Sequence, residues 1–158
     1  MNQAYIDILV TSLQKKSKLL DQILTCNEEQ KELLKEISLD PDVLEKNLHD
    51  KGKLIDEITK LDEGFEQLYQ KVKEELSVNK EQYKPQIGQM QKLIMEITEK
   101  GNEIQVEEAR NHDAILRKFS TVKKQFKQIT NNKKAINEYA RTMRKQVNDT
   151  SFFLDNKK

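Results

Sequence analysis

The side chains that most often do chemistry in enzymes are few in this chain and are not spaced to act together. His49 and His112 lie 63 positions apart, and neither belongs to an H-E-x-x-H pair. Cys26 is the single cysteine, so no cysteine pair has the spacing of a zinc site. The four glycines form no phosphate-binding loop of the G-x-x-x-x-G-K type. We therefore predict that the protein is not an enzyme, binds no metal and needs no cofactor.

The acidic residues also fail to converge. The pairs Glu28-Glu29, Glu74-Glu75 and Glu107-Glu108 are adjacent in sequence. Adjacent side chains on a helix point about 100° apart, so such pairs cannot grip one substrate atom. They are typical of a solvated helix face.

The residues that could bind another helix lie near the C-terminus. Apolar residues from position 136 to 147 recur at spacings of three and four among Lys and Arg, which predicts a short basic amphipathic helix. Three bulky apolar residues then stand together in the last eight positions, either to dock on the rest of the protein or to bind a partner. The predicted partner-binding residues are Ile136, Tyr139, Met143, Val147, Phe152, Phe153 and Leu154.

The charge of the chain is divided unevenly. Through Ala109 there are 15 Lys+Arg against 23 Asp+Glu, and from Arg110 onward there are 13 against 4. A basic segment of this kind can bind phosphates, an acidic membrane surface or an acidic protein groove, or it can balance the acidic helices beside it.

Long helices must position these residues. An apolar stripe runs from Tyr5 to Ile37 and is interrupted by Lys16, Asn27 and Gln30, which predicts a first helix over about 4–37. Asp40-Pro41 has the composition of a helix start, because Asp accepts hydrogen bonds from free N–H groups and Pro needs no donor there.

A second helix over 41–78 follows, with the central stretch Lys51-x-x-Leu54-Ile55-x-x-Ile58-x-x-Leu61-Asp62-x-x-Phe65. Its stripe is interrupted by Lys51 and Asp62. The connection between the first two helices is so short that they must be antiparallel.

A third helix is predicted over 85–129. Pro85 indicates either a turn or a kink before it, and a turn is favoured because a new stripe begins at Ile87. Gly101 indicates a bend or a close helix crossing. The stripe becomes polar over 105–113, where we expect the weakest packing. The stretch Asn131-Asn132-Lys133-Lys134 indicates a helix end or a loosening.

These patterns predict an all-α protein of long antiparallel amphipathic helices, arranged as a coiled-coil-like hairpin or three-helix bundle, with a short amphipathic C-terminal helix or tail. We expect one bundle domain over 1–130 and a basic amphipathic segment over 131–158. No apolar run is long enough to span a bilayer and no signal segment is visible, so a cytoplasmic location is expected.

The chain resembles the FlgN-type flagellar export chaperones. The likeness rests on the helix from Tyr5 to Leu34, the central Lys51-x-x-Leu54-Ile55 stretch, the charged third helix with its basic tail, and the ending Phe152-Phe153-Leu154-Asp155-Asn156-Lys157-Lys158. The resemblance implies a cytoplasmic chaperone that binds late flagellar subunits, typically hook–filament junction proteins, through helix–helix contacts. It would prevent their premature association and deliver them to the type III export apparatus.

The resemblance also implies a contact between a C-terminal aromatic residue and the membrane protein of the export gate. Tyr139 matches that aromatic best, with Phe152 and Phe153 as competitors. Which subunit is bound, and whether the free protein is a monomer or a homodimer, stay open at this point.

Two other classes of function are compatible with the residues. A structural coiled-coil adaptor that acts by self-association would use the same stripes. Nucleic-acid binding would use the basic tail, but the acidic body and the lack of a reader motif disfavour it.

Overall fold

The computed structural model describes residues 2–118 and 131–141. Its helices are α1 (Asn2–Lys35), α2 (Pro41–Val78) and α3 (Lys84–Lys118), and residues 131–141, called α4 here, are also helical. The predicted all-α class is confirmed. None of the helices in these described ranges has the length and hydrophobicity of a membrane span.

The turn between α1 and α2 has the predicted chemistry. A side-chain oxygen of Asp40 accepts a hydrogen bond of 2.9 Å from the backbone N–H of Asp42, and Pro41 is the first residue of α2. The helix α1 ends at Lys35, two residues before the predicted bound, and the Glu36 N–H donates to the Leu33 carbonyl at 3.1 Å. This hydrogen bond closes the last turn of α1 before the chain reverses.

We expect Asp40→Ala to lower the free energy of unfolding by about 1 kcal/mol, because the substitution leaves helix-start N–H groups without an acceptor. The measurement is urea denaturation followed by circular dichroism. Asp56→Ala, on the exposed face of the same helix, is the control. Equal stability of the two variants would mean that the hydrogen bond accepted by the Asp40 side chain does not stabilise the protein.

The second connection is a turn, as favoured from the sequence, and not a kink. The helix α2 ends at Val78, and the Asn79 N–H donates to the Glu75 carbonyl at 2.9 Å. The next helix begins at Lys84, so Pro85 lies in the first turn, where its missing N–H leaves no hydrogen bond unmade.

The side-chain contacts give the directions of the helices. Lys16 contacts Asp62 and Gln30 contacts Asn47, so α2 is antiparallel to α1. Lys100 donates to Ser17, and α3 is therefore parallel to α1, since its Lys118 lies beside Leu34 farther along. Within the described residues, no Cα of α2 comes within 8 Å of a Cα of α3, although both helices pack on α1.

The helix α4 lies in the space between α2 and α3. Asn132 Nδ2 donates to the Leu48 carbonyl of α2 at 3.4 Å, and Gln105 Nε2 of α3 donates to Asn137 Oδ1 at 3.4 Å. The described helices thus occupy the four positions of a bundle. Residues 131–134, where the sequence indicates a helix end or a loosening, are helical in the structure. The predicted third-helix residues 119–129 lie outside the described part.

The buried apolar residues form two clusters. The larger one contains residues of α1, α2 and α3 together with Ile136 and Tyr139 of α4. The smaller one, at the α1–α2 turn, is made of Leu39, Leu44, Leu48 and Ile115. The division into a domain over 1–130 and a segment over 131–158 stays a prediction. Ile136 and Tyr139 of α4 are part of the core that the first three helices form.

A buried polar layer lies between the two clusters. It consists of Asn27, Gln30, Asn47, Lys51, Glu108 and Asn111. The expectation of weak packing over 105–113 is therefore wrong: Glu108 is 4% exposed and Asn111 is 2% exposed. These residues are polar because they pair with the interruptions of the α1 and α2 stripes.

Candidate functional site

The structure places two of the seven predicted partner-binding residues in the core. Ile136 is 2% exposed and Tyr139 is 7% exposed, and both lie between α2 and α3. Met143, Val147, Phe152, Phe153 and Leu154 lie outside the described residues. The candidate site is consequently the slot that α4 fills, called the α2–α3 groove below.

Two helix-interior glycines form walls of this groove. A Cβ atom added at Gly52 of α2 would stand 3.7 Å from Asn132 Oδ1, and one added at Gly101 of α3 would stand 3.9 Å from Tyr139 Cε1. Both separations are ordinary van der Waals contacts, so Ala would be accommodated at either position. The helix crossing predicted at Gly101 corresponds to the contact with the Tyr139 ring.

The floor of the groove is an ion pair. Lys16 Nζ lies 2.5 Å from Asp62 Oδ1, and the two side chains are 2% and 9% exposed. The Lys16 ammonium also lies 4.9 Å from the centroid of the Tyr139 ring, within the range of a cation–π contact. Burial lowers the pKa of Lys16 and raises the pKa of Asp62, while the attraction between the two groups opposes both shifts.

The hydroxyl of Tyr139 is buried and has no hydrogen-bond partner among the described residues. Burial raises the pKa of this hydroxyl well above its usual value, and the negative charge of Asp62 adds to the shift. A buried polar group without a partner costs about 1 to 3 kcal/mol. Burial in the groove is therefore favourable for the Tyr139 ring and unfavourable for its hydroxyl.

The seam between α2 and α4 is also incompletely filled. A cleft of about 300 Å³ opens along it, lined by residues of both helices. Its lining residues are His49, Gly52, Lys53, Ile55, Asp56, Asn131, Asn132 and Ala135. Side chains of α4 thus leave part of the available space to solvent.

The polar layer lies one step farther along the bundle and holds α1, α2 and α3 together. Lys51 Nζ donates to both carboxylate oxygens of Glu108, at 2.9 and 2.7 Å, and to Asn27 Oδ1 at 3.2 Å. Asn111 Nδ2 donates to the Asn27 carbonyl at 3.0 Å. Nearly one turn farther along α1, Gln30 Nε2 donates to Asn47 Oδ1 of α2 at 3.0 Å.

Sequence reasoning identified Asn27, Gln30 and Lys51 in this layer but missed Asn47 of α2 and both residues of α3. A signal was present, because positions 104, 108, 111 and 115 keep the spacing of the apolar stripe once polar residues are counted. Apolar residues alone are sparse over 105–113, which is why the sequence predicted weak packing there.

A second open cavity, of about 610 Å³, lies on the outer face of α1 and α2. Leu33 and Val43 contribute apolar surface to it. Its acidic residues are Glu28, Glu29, Glu32, Glu36 and Asp50. The cavity thus combines an apolar wall with a negative rim.

The residues with catalytic potential are not brought together. Burial raises the pKa of the Cys26 thiol, which disfavours the reactive thiolate. In residues 2–118 and 131–141, no group of three His, Cys, Asp or Glu side chains is arranged to hold a metal ion.

The family model described as FlgN protein matches residues 1–146. No curated protein and no solved structure matches the chain. Because the family match covers most of the chain, including all described residues, the chain belongs to the FlgN family, a family of flagellar export chaperones.

Proposed function

We propose that this chaperone binds late flagellar subunits in the cytoplasm, with hook–filament junction proteins as its clients. It binds them through helix–helix contacts, prevents their premature association and delivers them to the membrane protein of the type III export gate. The observation that carries the proposal is the family match over 1–146. The last described helix, α4, has an apolar face that is buried in the bundle, and such a face suits the binding of a client helix once it is uncovered.

The proposed partner-binding residues require a movement. Ile136 and Tyr139 are buried between α2 and α3, so they can contact a client or the export gate only after α4 has left its groove. In the described part of the chain, Asn132 and Asn137 of α4 form hydrogen bonds to other helices, and both hydrogen bonds are 3.4 Å long. Both hydrogen bonds are longer than the usual range of about 2.7 to 3.2 Å, so they oppose such a movement only slightly.

The test uses purified full-length protein and purified hook–filament junction subunits, with filament-cap and filament subunits as competitors. Isothermal titration calorimetry is expected to give a complex with a junction subunit. Sedimentation velocity on the free protein runs in parallel. A chain that binds none of these subunits and instead dimerises with rising concentration would be a structural coiled-coil adaptor.

The role of the terminal apolar residues is tested separately. We expect Phe152→Ala/Phe153→Ala/Leu154→Ala to weaken binding to the junction subunit or to the export-gate protein by at least tenfold, because the substitutions remove apolar contact area. Helix content by circular dichroism should stay unchanged. The matched control is the neighbouring polar triple Asn148→Ala/Asp149→Ala/Thr150→Ala. Unchanged affinity for both partners would remove these three residues from the binding surface.

A further inference from the structure

We infer that an amphipathic helix of the client binds in the α2–α3 groove, and that α4 fills this groove while no client is bound. The incoming helix carries an aliphatic residue followed three positions later by an aromatic residue, as Ile136 and Tyr139 do in α4. The inference rests on the proposed function, since it names the place where a client would bind.

The first support is the size of the slot. No Cα of α2 lies within 8 Å of a Cα of α3 in the described residues, and both helices pack on α1. Packed helices have axes about 8 to 10 Å apart, so three helices in this arrangement leave room for a fourth. Ile136 and Tyr139 fill that room from one face of a single helix. Any helix with the same two anchors has the shape to replace α4.

The second support is the charge on the floor. Lys16 and Asp62 lie beneath Tyr139. When α4 leaves, water hydrates this pair, which offsets part of the cost of opening; an apolar floor would gain nothing from water. The Lys16 ammonium also favours an aromatic ring above it over an aliphatic side chain. The floor therefore selects an aromatic anchor on the incoming helix.

The third support is the imperfect fit of the present occupant. The Tyr139 hydroxyl lacks a partner among the described residues, and the cleft beside Asn132 is unfilled. A Phe ring would occupy the same place without the buried hydroxyl. A client helix with Phe at this position can thus compete with α4, even though α4 is tethered and acts at high effective concentration.

The first test changes how tightly α4 is held. Tyr139→Phe removes the idle hydroxyl and is expected to hold α4 more firmly, so that the affinity for a purified junction subunit falls about fivefold, the factor that corresponds to about 1 kcal/mol. The same variant should unfold at a higher temperature. Affinity equal to or above that of the wild type, in a variant that is more stable, would overturn the inference.

The second test fastens α4 reversibly. Gln105 and Asn137 face each other across the α3–α4 seam, with side-chain atoms 3.4 Å apart. In a Cys26→Ser background, Gln105→Cys/Asn137→Cys is bridged by a short bis-methanethiosulfonate reagent, which a reductant removes. We expect the bridged protein to bind the junction subunit at least tenfold more weakly and the reduced protein to recover. The two single-cysteine variants, treated alike, are the controls.

The outcomes separate the inference from the proposed function. Equal binding by the bridged and the reduced protein would leave the chaperone function standing and show that clients bind elsewhere. Failure of both forms to bind junction, cap or filament subunits would remove the proposed function, and this inference with it.

Discussion

Replacing Lys51 by Met is expected to lower the free energy of unfolding by about 3 to 5 kcal/mol, the largest loss from any single substitution considered. Lys51 is fully buried, and its ammonium donates to both oxygens of Glu108 and to Asn27. Met fills a similar volume but leaves the Glu108 carboxylate buried without a cation. Urea denaturation followed by circular dichroism measures the loss.

The double variant Lys51→Met/Glu108→Leu distinguishes two contributions to the free energy of unfolding. One is the cost of leaving the Glu108 carboxylate unpaired, and the other is the net contribution of the intact Lys51–Glu108 ion pair. Removing both charges removes the uncompensated carboxylate, so most of the stability should return. Lys53→Met, on the exposed side of the same helix, controls for the substitution itself. A double variant as unstable as Lys51→Met would mean that the intact pair is strongly net stabilising.

The buried polar residues show how much of the packing could be predicted from the sequence. Lys16, Asn27, Gln30, Lys51 and Asp62 were all predicted to interrupt apolar stripes, and all five are buried. Their partners could not be predicted, because a pair such as Lys51 and Glu108 joins residues 57 positions apart. The periodicity of a sequence predicts which face of a helix is buried. Which side chains pair across helices depends on which helices are neighbours and on their relative positions along the bundle axis.

For α4 the sequence predicted an apolar face but not what covers it. The spacing of Ile136 and Tyr139 indicated an apolar face that needs a partner. It could not distinguish a partner in the same chain from one in another protein, since both would bury the same side chains. In the structure the partner of these two residues is the bundle itself. For this reason Tyr139→Ala would disturb the core as well as any contact with a client or the export gate.

The ion pair beneath Tyr139 should differ from the polar layer in its dependence on pH. The side chains of Lys16 and Asp62 are 2% and 9% exposed. Burial raises the pKa of Asp62 even though the attraction of the neighbouring Lys16 ammonium opposes this shift. Removing Lys16 takes away the attraction that opposes this shift. The pKa of Asp62 in the folded protein should then rise farther above its ordinary value.

Lys16→Met is therefore expected to cost about 3 kcal/mol at neutral pH, with the loss shrinking as the pH falls. A carboxyl whose pKa is higher in the folded than in the unfolded state binds a proton on folding, so its stability is present below the unfolded pKa and is lost as pH rises through the folded pKa. Denaturation of wild type, Lys16→Met and the exposed control Lys15→Met at several pH values tests this. A loss that stays constant as the solution is acidified would mean that Asp62 reaches water once Lys16 is gone, and that the groove floor is open even with α4 in place.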